Sequence, residues 1–366
     1  MKKSKSRKII TAISLQGGGA RGAYEYGAIK ALYSHWGPGF KPRVVTGVSI
    51  GAINAAVLVG AKADPLESLD TLWRERFCVN LPAVSRTTLG GCTKENNPIC
   101  PMDWTEQALS LLGNPGMYSL KPEFFFMPLL APMMSSSIYD TSLLKNTLTE
   151  VIDPEKLNRP EEIRLIVTAV NVRTGRQERF DNANMKITFD HIIASGSFPV
   201  TFPMTFIDGN AYWDGGIFMN MPVGAAVNAL EQIESDRHDI EREIVIISLH
   251  RQQGKLPATI QEAAERFYNL VFSGKFALDR KLYEKYGAFV DVMQEIDKTL
   301  PADSPIRNHK GYKDLVSHRK IDRIIVIGED GKGAVGSGSD FSRKTLLARI
   351  DDGFKDAMAF LKKFAR

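Results

Sequence analysis

Short, nearly continuous apolar runs alternate along the chain with longer stretches of helical period. Ile9 to Leu15 is such a run and ends at Gly17-Gly18-Gly19, the pattern of a buried strand entering a tight turn. From Gly22 to Ser34, the residues Tyr26, Ile29, Leu32 and Tyr33 recur at helical spacing, and Gly37-Pro38-Gly39 supplies the stop. Val44 to Thr46 reads as a second strand. After Gly47-Val48-Ser49-Ile50-Gly51, the stretch Ala52 to Gly60 is small and apolar nearly all round, as expected of a helix buried against a sheet. The same criteria predict strands at Ile163 to Asn171, Ile244 to Leu249 and Ile324 to Ile327, helices at Ala258 to Phe272 and Lys275 to Asp297, and a last helix at Ser342 to Phe364. Apolar strands alternating with helices favour a mostly parallel sheet covered on both faces.

One stretch breaks this rhythm. Phe77 to Ser137 carries Pro82, Pro98, Pro101, Pro115, Pro122, Pro128 and Pro132, and reads as an irregular insertion at about 77–137. Within it, Gly116 to Ser137 holds Phe124-Phe125-Phe126-Met127, Leu129-Leu130 and Met133-Met134. Prolines at this spacing oppose a regular helix or central strand, so the segment is expected either as a mobile cover over a site or as a loop packed into the core. The expected organisation is a basic flexible tail, residues 1–8, followed by a single α/β domain, residues 9–366.

Composition adds exclusions. With 366 residues, 43% hydrophobic and 24% charged, the chain is an ordinary globular one, not a disordered, collagenous or coiled-coil sequence. Its formal net charge is +5, and Lys2, Lys3, Lys5, Arg7 and Lys8 account for it, so the remainder is formally neutral. That argues against a nucleic-acid binder, which needs a basic stripe on the folded body. The cysteines Cys78, Cys92 and Cys100 form no CxxC pair and read as reduced thiols. No secretory signal pattern precedes Ile9, and the apolar stretch Val48 to Ala61 is shorter than the roughly 20 residues of a membrane span. The expectation is a cytoplasmic protein whose basic tail can touch an anionic membrane.

The strongest chemical signal is Ser49 in Gly47-x-Ser49-x-Gly51. Two glycines let a strand turn sharply into a helix, leaving the hydroxyl exposed at the helix N-terminus, where backbone N–H groups can hold an oxyanion. A serine hydroxyl needs a base, usually histidine. His35, His238, His309 and His318 sit in polar or terminal contexts and read as surface residues, and His191 reads as a packed or capping residue. His250, just past an apolar strand, stands nearest to where a triad histidine would be placed. Gly17-Gly18-Gly19-Ala20-Arg21-Gly22 has the GxGxxG spacing of a dinucleotide loop, but the acidic residue expected at the end of the next strand is absent. Beside a serine elbow the loop makes better sense as an oxyanion hole, with Arg21 bracing it. Asp214-Gly215-Gly216 follows Ala211-Tyr212-Trp213, so the chain turns steeply after an acid whose apolar neighbours raise its proton affinity, as a general base requires.

In combination these motifs resemble the patatin-like phospholipases, acyl hydrolases that use a Ser-Asp dyad in place of a triad. The match covers Ile9 to Ala61 and roughly His191 to Val223, in family order. Gly17 to Gly22 is similar to the family's oxyanion loop, Ser49 to its nucleophile and Asp214 to the aspartate of its Asp-Gly-Gly/Ala motif. Ala194-Ser195-Gly196-Ser197-Phe198-Pro199 and Asn220-Met221-Pro222 are similar to the flanking pattern. The resemblance implies a three-layer α/β/α hydrolase that needs no metal or organic cofactor, acts on acyl lipids, most often phospholipids, and meets the membrane surface transiently. Three alternatives stay open: an intracellular polyester or neutral-lipid esterase of the same fold, a dehydrogenase built on the glycine loop, and a lipid-binding protein without turnover.

Overall fold

The computed structural model describes residues 8–37, 39–79, 109–234, 239–318, 321–328 and 337–363. Most of the basic tail, Cys92, Cys100, His238 and the centre of the expected insertion lie outside the described residues. In chain order the strands are β1 (Lys8–Leu15), β2 (Val44–Gly47), β3 (Gly113–Asn114), β4 (Tyr118–Leu120), β5 (Tyr139–Asp140), β6 (Arg164–Asn171), β7 (Gln177–Asp181), β8 (Thr205–Ile207), β9 (Asn210–Asp214), β10 (Ile240–Ile247) and β11 (Arg323–Ile327). The helices that shape the site are α1 (Gly22–Trp36), α2 (Ile50–Gly60), α3 (Pro122–Phe126), α4 (Ala131–Met134), α5 (Ser142–Val151), α6 (Phe189–Ser195), α7 (Val223–Gln232), α8 (Ile260–Thr299) and α9 (Arg343–Leu361).

Eight strands form the main sheet in the order β11-β10-β1-β2-β6-β9-β8, with β7 also paired to β6. The run from β11 to β6 is parallel, and β7, β8 and β9 join antiparallel. Side chains alternate across this sheet with period two. Ile13, Leu15, Val45, Leu165, Val245 and Ile247 face a core shared with α1, α2 and α9. Ile10, Ala12, Val44, Ile166, Ile244 and Ile246 face the opposite core, closed by α7 and by Phe276 of α8. Helices therefore cover both faces, giving the mostly parallel three-layer α/β/α arrangement that the apolar runs predict.

Three departures matter. The expected insertion is not irregular throughout, because β3, β4 and β5 form a small antiparallel sheet and α3 and α4 follow β4. The helices expected at Ala258 to Phe272 and Lys275 to Asp297 are one continuous helix of 40 residues, opened by a capping box of Thr259 and Glu262. Gly274 does not end it, since an interior glycine costs a helix only about 1 kcal/mol. Finally, β7, β8 and β9 are short antiparallel strands without the long apolar run by which the parallel strands are read.

Candidate active site

Loops leaving β1, β2 and β10 converge at the carboxyl edge of the parallel strands, where open α/β sheets place ligands. Gly47 ends β2, and two residues later Ser49 opens α2 with φ 56° and ψ −126°, a conformation that strains a residue carrying a Cβ. The strain is held by the Ser49 N–H, which donates to the Ser195 carbonyl at 3.0 Å and to Ser195 Oγ at 3.1 Å. The Ser49 side chain, partly exposed, thus projects at the positive end of a helix. Gly51, the second residue of α2, presses against the backbone of Leu15, and Gly47 against that of Gly51.

Asp214 ends β9 and is 1% exposed. Its N–H donates to the Ser197 carbonyl at 2.9 Å, and its Oδ1 accepts the Gly216 N–H at 2.7 Å. The Ser49 hydroxyl faces the same carboxylate. Burial pushes the Asp214 pKa up to about 7, against the Ser49 hydroxyl and the Gly216 N–H, which favour the anion. Near neutrality the group can therefore both take and return a proton. Gly215 lies against the Thr168 carbonyl, and Gly216 against Asn220 Oδ1, so the turn after the acid leaves no room for side chains.

The glycine loop closes the third side. A Cβ on Gly17 would stand 3.0 Å from Ser49 Cβ and 2.4 Å from Asn220 Oδ1. Asn220 Nδ2 and His250 Nε2 each lie 2.9 Å from the Gly17 carbonyl oxygen. Gly19 has φ +59°, and a Cβ there would meet the Gly338 carbonyl at 2.3 Å. The Gly18 and Gly19 N–H groups meet no acceptor among the described residues. Gly22 packs beneath, against Ile50 and Trp73. Arg21 is 4% exposed; its guanidinium donates to Glu265 of α8 and, at 3.3 Å, to His250 Nδ1. The loop is thereby tied to the long helix.

These groups border a cavity of about 380 Å³, a size that suits one small ligand or part of a larger one. Its far wall is aromatic: Tyr118, Tyr139, Phe202 and Phe341 pack with ring centroids 4.7 to 6.1 Å apart. Tyr118 and Tyr139 belong to the small sheet, so the insertion builds part of the cavity. The apolar segment between them does not line it. Phe125, Phe126, Leu129 and Met133 stand 68, 76, 91 and 85% exposed. They are neither packed core nor an inner cover; they stand exposed on the segment that joins β4 to β5.

The histidines divide. His250 is buried at the site, but both ring nitrogens are engaged, and burial with the neighbouring Arg21 depresses its pKa to about 3. His191 forms a capping box with Thr188, as its position suggests. His309 is exposed and His35 partly so, whereas His318, expected at the surface, is largely buried beside Glu231 at 2.9 Å. Sequence reasoning assigned no role to Ser195, Asn220, Glu265 or Asn269. Only Ser195 and Asn220 carried a signal, as neighbours of recognisable motifs.

The model of the patatin-like phospholipase family matches residues 13–227, more than half of the chain, and includes Ser49, Asp214 and the whole glycine loop. The chain belongs to the patatin-like phospholipase family. Membership accounts for the three-layer fold and implies hydrolysis of lipid esters, and it leaves the dinucleotide reading of the glycine loop without support. Among solved structures the chain is similar to VipD from Legionella pneumophila, at 16% identity and a TM-score of 0.38, covering 98% of this chain and 67% of that one. It is similar to the type III effector ExoU at 14% identity and a TM-score of 0.33, covering 97% of this chain and 53% of that one. A second structure, the ExoU–SpcU heterodimer from Pseudomonas aeruginosa, matches at 15% identity and a TM-score of 0.33, covering 97% of this chain and 75% of that one. The chain thus spans about half the length of one ExoU chain. No curated protein matches it. Among the described residues no helix is long and apolar enough to cross a membrane.

Proposed function

We propose that this chain hydrolyses the carboxylic ester bonds of acyl lipids through a Ser49–Asp214 dyad. Ser49 Oγ attacks the ester carbonyl carbon as its proton passes to Asp214, and the backbone N–H groups of the glycine loop stabilise the resulting oxyanion. Collapse breaks the bond to the alcohol oxygen, which leaves with the proton held by Asp214, and Ser49 stays acylated. Water then attacks the acyl carbon with Asp214 again as base, releasing the fatty acid and restoring the serine. The observation that carries this reading is the Ser49 hydroxyl facing a buried carboxyl, whose burial pushes its pKa up to about 7, in the wall of one apolar cavity. A dyad without histidine needs a base of just this strength.

The substrate follows from the surroundings. The aromatic wall suits an acyl chain, and the exposed Phe125, Phe126, Leu129 and Met133 suit an aggregated lipid surface, where water exclusion of large apolar side chains is favourable. We place the protein at a membrane, acting on phospholipid, with its basic tail favouring an anionic leaflet by about 1 kcal/mol per residue near the surface. The test is fatty-acid release from a panel of phospholipid vesicles, triglyceride emulsion and polyester, with Ser49→Ala as control. Preferred release from phospholipid supports the reading. Preferred release from triglyceride or polyester assigns the same dyad to a neutral-lipid or polyester esterase, and no Ser49-dependent release from any of them leaves a lipid-binding protein.

A further inference from the structure

We propose that His250 is a positioning residue of the oxyanion loop: as a neutral imidazole it donates its Nε2–H to the Gly17 carbonyl and thereby holds the Gly18 N–H toward the cavity. This rests on the hydrolase reading above. In a trans peptide the carbonyl of one residue and the N–H of the next point in opposite directions. Whatever fixes the Gly17 oxygen therefore fixes the Gly18 donor. Two groups do so, His250 Nε2 and Asn220 Nδ2, each at 2.9 Å. Gly18 lines the cavity, and its N–H meets no acceptor among the described residues.

The contacts also determine where the ring carries its proton. A carbonyl oxygen can only accept, so Nε2 must bear hydrogen, and a guanidinium can only donate, so Nδ1, 3.3 Å from Arg21 Nη1, must offer its lone pair. Asn269 Oδ1 lies 2.9 Å from the same Nδ1; a neutral ring with its proton on Nε2 requires that amide turned by 180°, so that its N–H meets the Nδ1 lone pair. Burial and Arg21 hold the ring neutral far below any working pH. Phe272 packs on the ring with centroids 5.0 Å apart, which fixes its plane. His250 thus occupies the place where a triad histidine is sought, with neither nitrogen free to act as base.

The test uses the full chain, a soluble short-chain nitrophenyl ester and a fluorophosphonate that labels the reactive serine. His250→Phe keeps a ring without a donor and is expected to lower kcat by about 10²-fold, the lower end of what one lost oxyanion donor costs. KM should stay within about twofold, and phosphonylation of Ser49 should slow in parallel, because that adduct also builds negative charge on oxygen. His250→Gln can carry an N–H to the position of Nε2 and should recover most of the rate, whereas His250→Asn is too short and should not. The Gln and Asn pair remains decisive if the Phe variant does not fold. Equal rates in Gln and Asn, a kcat in His250→Phe within about threefold of wild type, or losses that follow the melting temperature would overturn the proposal. Wild-type hydrolysis that vanishes in Ser49→Ala checks the hydrolase reading separately; its absence overturns that reading and this one with it.

Discussion

Replacing Asp214 by Asn should have opposite effects on activity and stability, with the second depending on pH. In the folded chain the Asp214 carboxyl has its pKa pushed up to about 7 by burial, against an ordinary value of 3.8. Between these values the native state holds a proton that the unfolded chain has released, so wild-type stability falls as pH rises from about 4 to about 7 and is flat in this respect above it. At about 1.4 kcal/mol per pH unit, the window caps the cost of the buried anion at roughly 4 kcal/mol. Asn fills the same space, can still accept the Gly216 N–H, and does not titrate. Urea unfolding of both proteins at pH 5 and pH 8.5 should show the advantage of the Asn variant growing by roughly 3 kcal/mol between the two. Ester turnover should fall by about 10²- to 10⁴-fold, the worth of a general base. A stability difference that is constant with pH would refute the buried, raised carboxyl, and turnover within tenfold of wild type would refute its role as base.

The same carboxyl should give wild-type kcat/KM a single rise with pH through about 7 to a plateau, because the base must be ionised to accept the serine proton; a pH–rate profile flat from pH 5 to 9 contradicts it. Gly19→Ala places a Cβ at positive φ against the Gly338 carbonyl, which costs about 1–2 kcal/mol for the backbone alone. It should lower activity more than the melting temperature, as measured by parallel assays and thermal melts. Phe125→Ser with Leu129→Ser removes two exposed side chains that are each worth about 1.5–3 kcal/mol when buried in lipid. Hydrolysis of long-chain phospholipid vesicles should then drop more than tenfold, while turnover of a soluble ester stays within twofold; equal losses on both substrates would sink the membrane contact.

The legible parts of this chain are those encoded locally. The five parallel strands announce themselves through β-branched apolar runs such as Ile244 to Ile247 and Ile324 to Ile327, and the elbow at Ser49 follows from two glycines between a strand and a small-residue helix. The antiparallel strands are another matter: β9, set between β6 and β8, delivers Asp214, yet its five residues are bounded by Asn210 and Asp214 and form no long apolar run. Asp214 is legible through its glycines, not through its strand. His250 was located near the site without its role, since that depends on Gly17, Arg21 and Asn269, of which two lie more than two hundred residues away in sequence. The junction of Arg21 with Glu265 is invisible for the same reason, and joining two predicted helices into α8 required knowing that tertiary contacts on either side of Gly274 outweigh its low helix propensity.

The proposed hydrolysis turns on an acyl-enzyme at Ser49, which is trapped by quenching the protein during turnover of a phospholipid, digesting it and mapping the added mass. An acyl group on the peptide containing Ser49, accumulating in the wild type and absent from Ser49→Ala together with fatty-acid release, is the predicted result. Fatty-acid release that persists in Ser49→Ala, or an acyl adduct on another residue, would exclude Ser49 as the nucleophile.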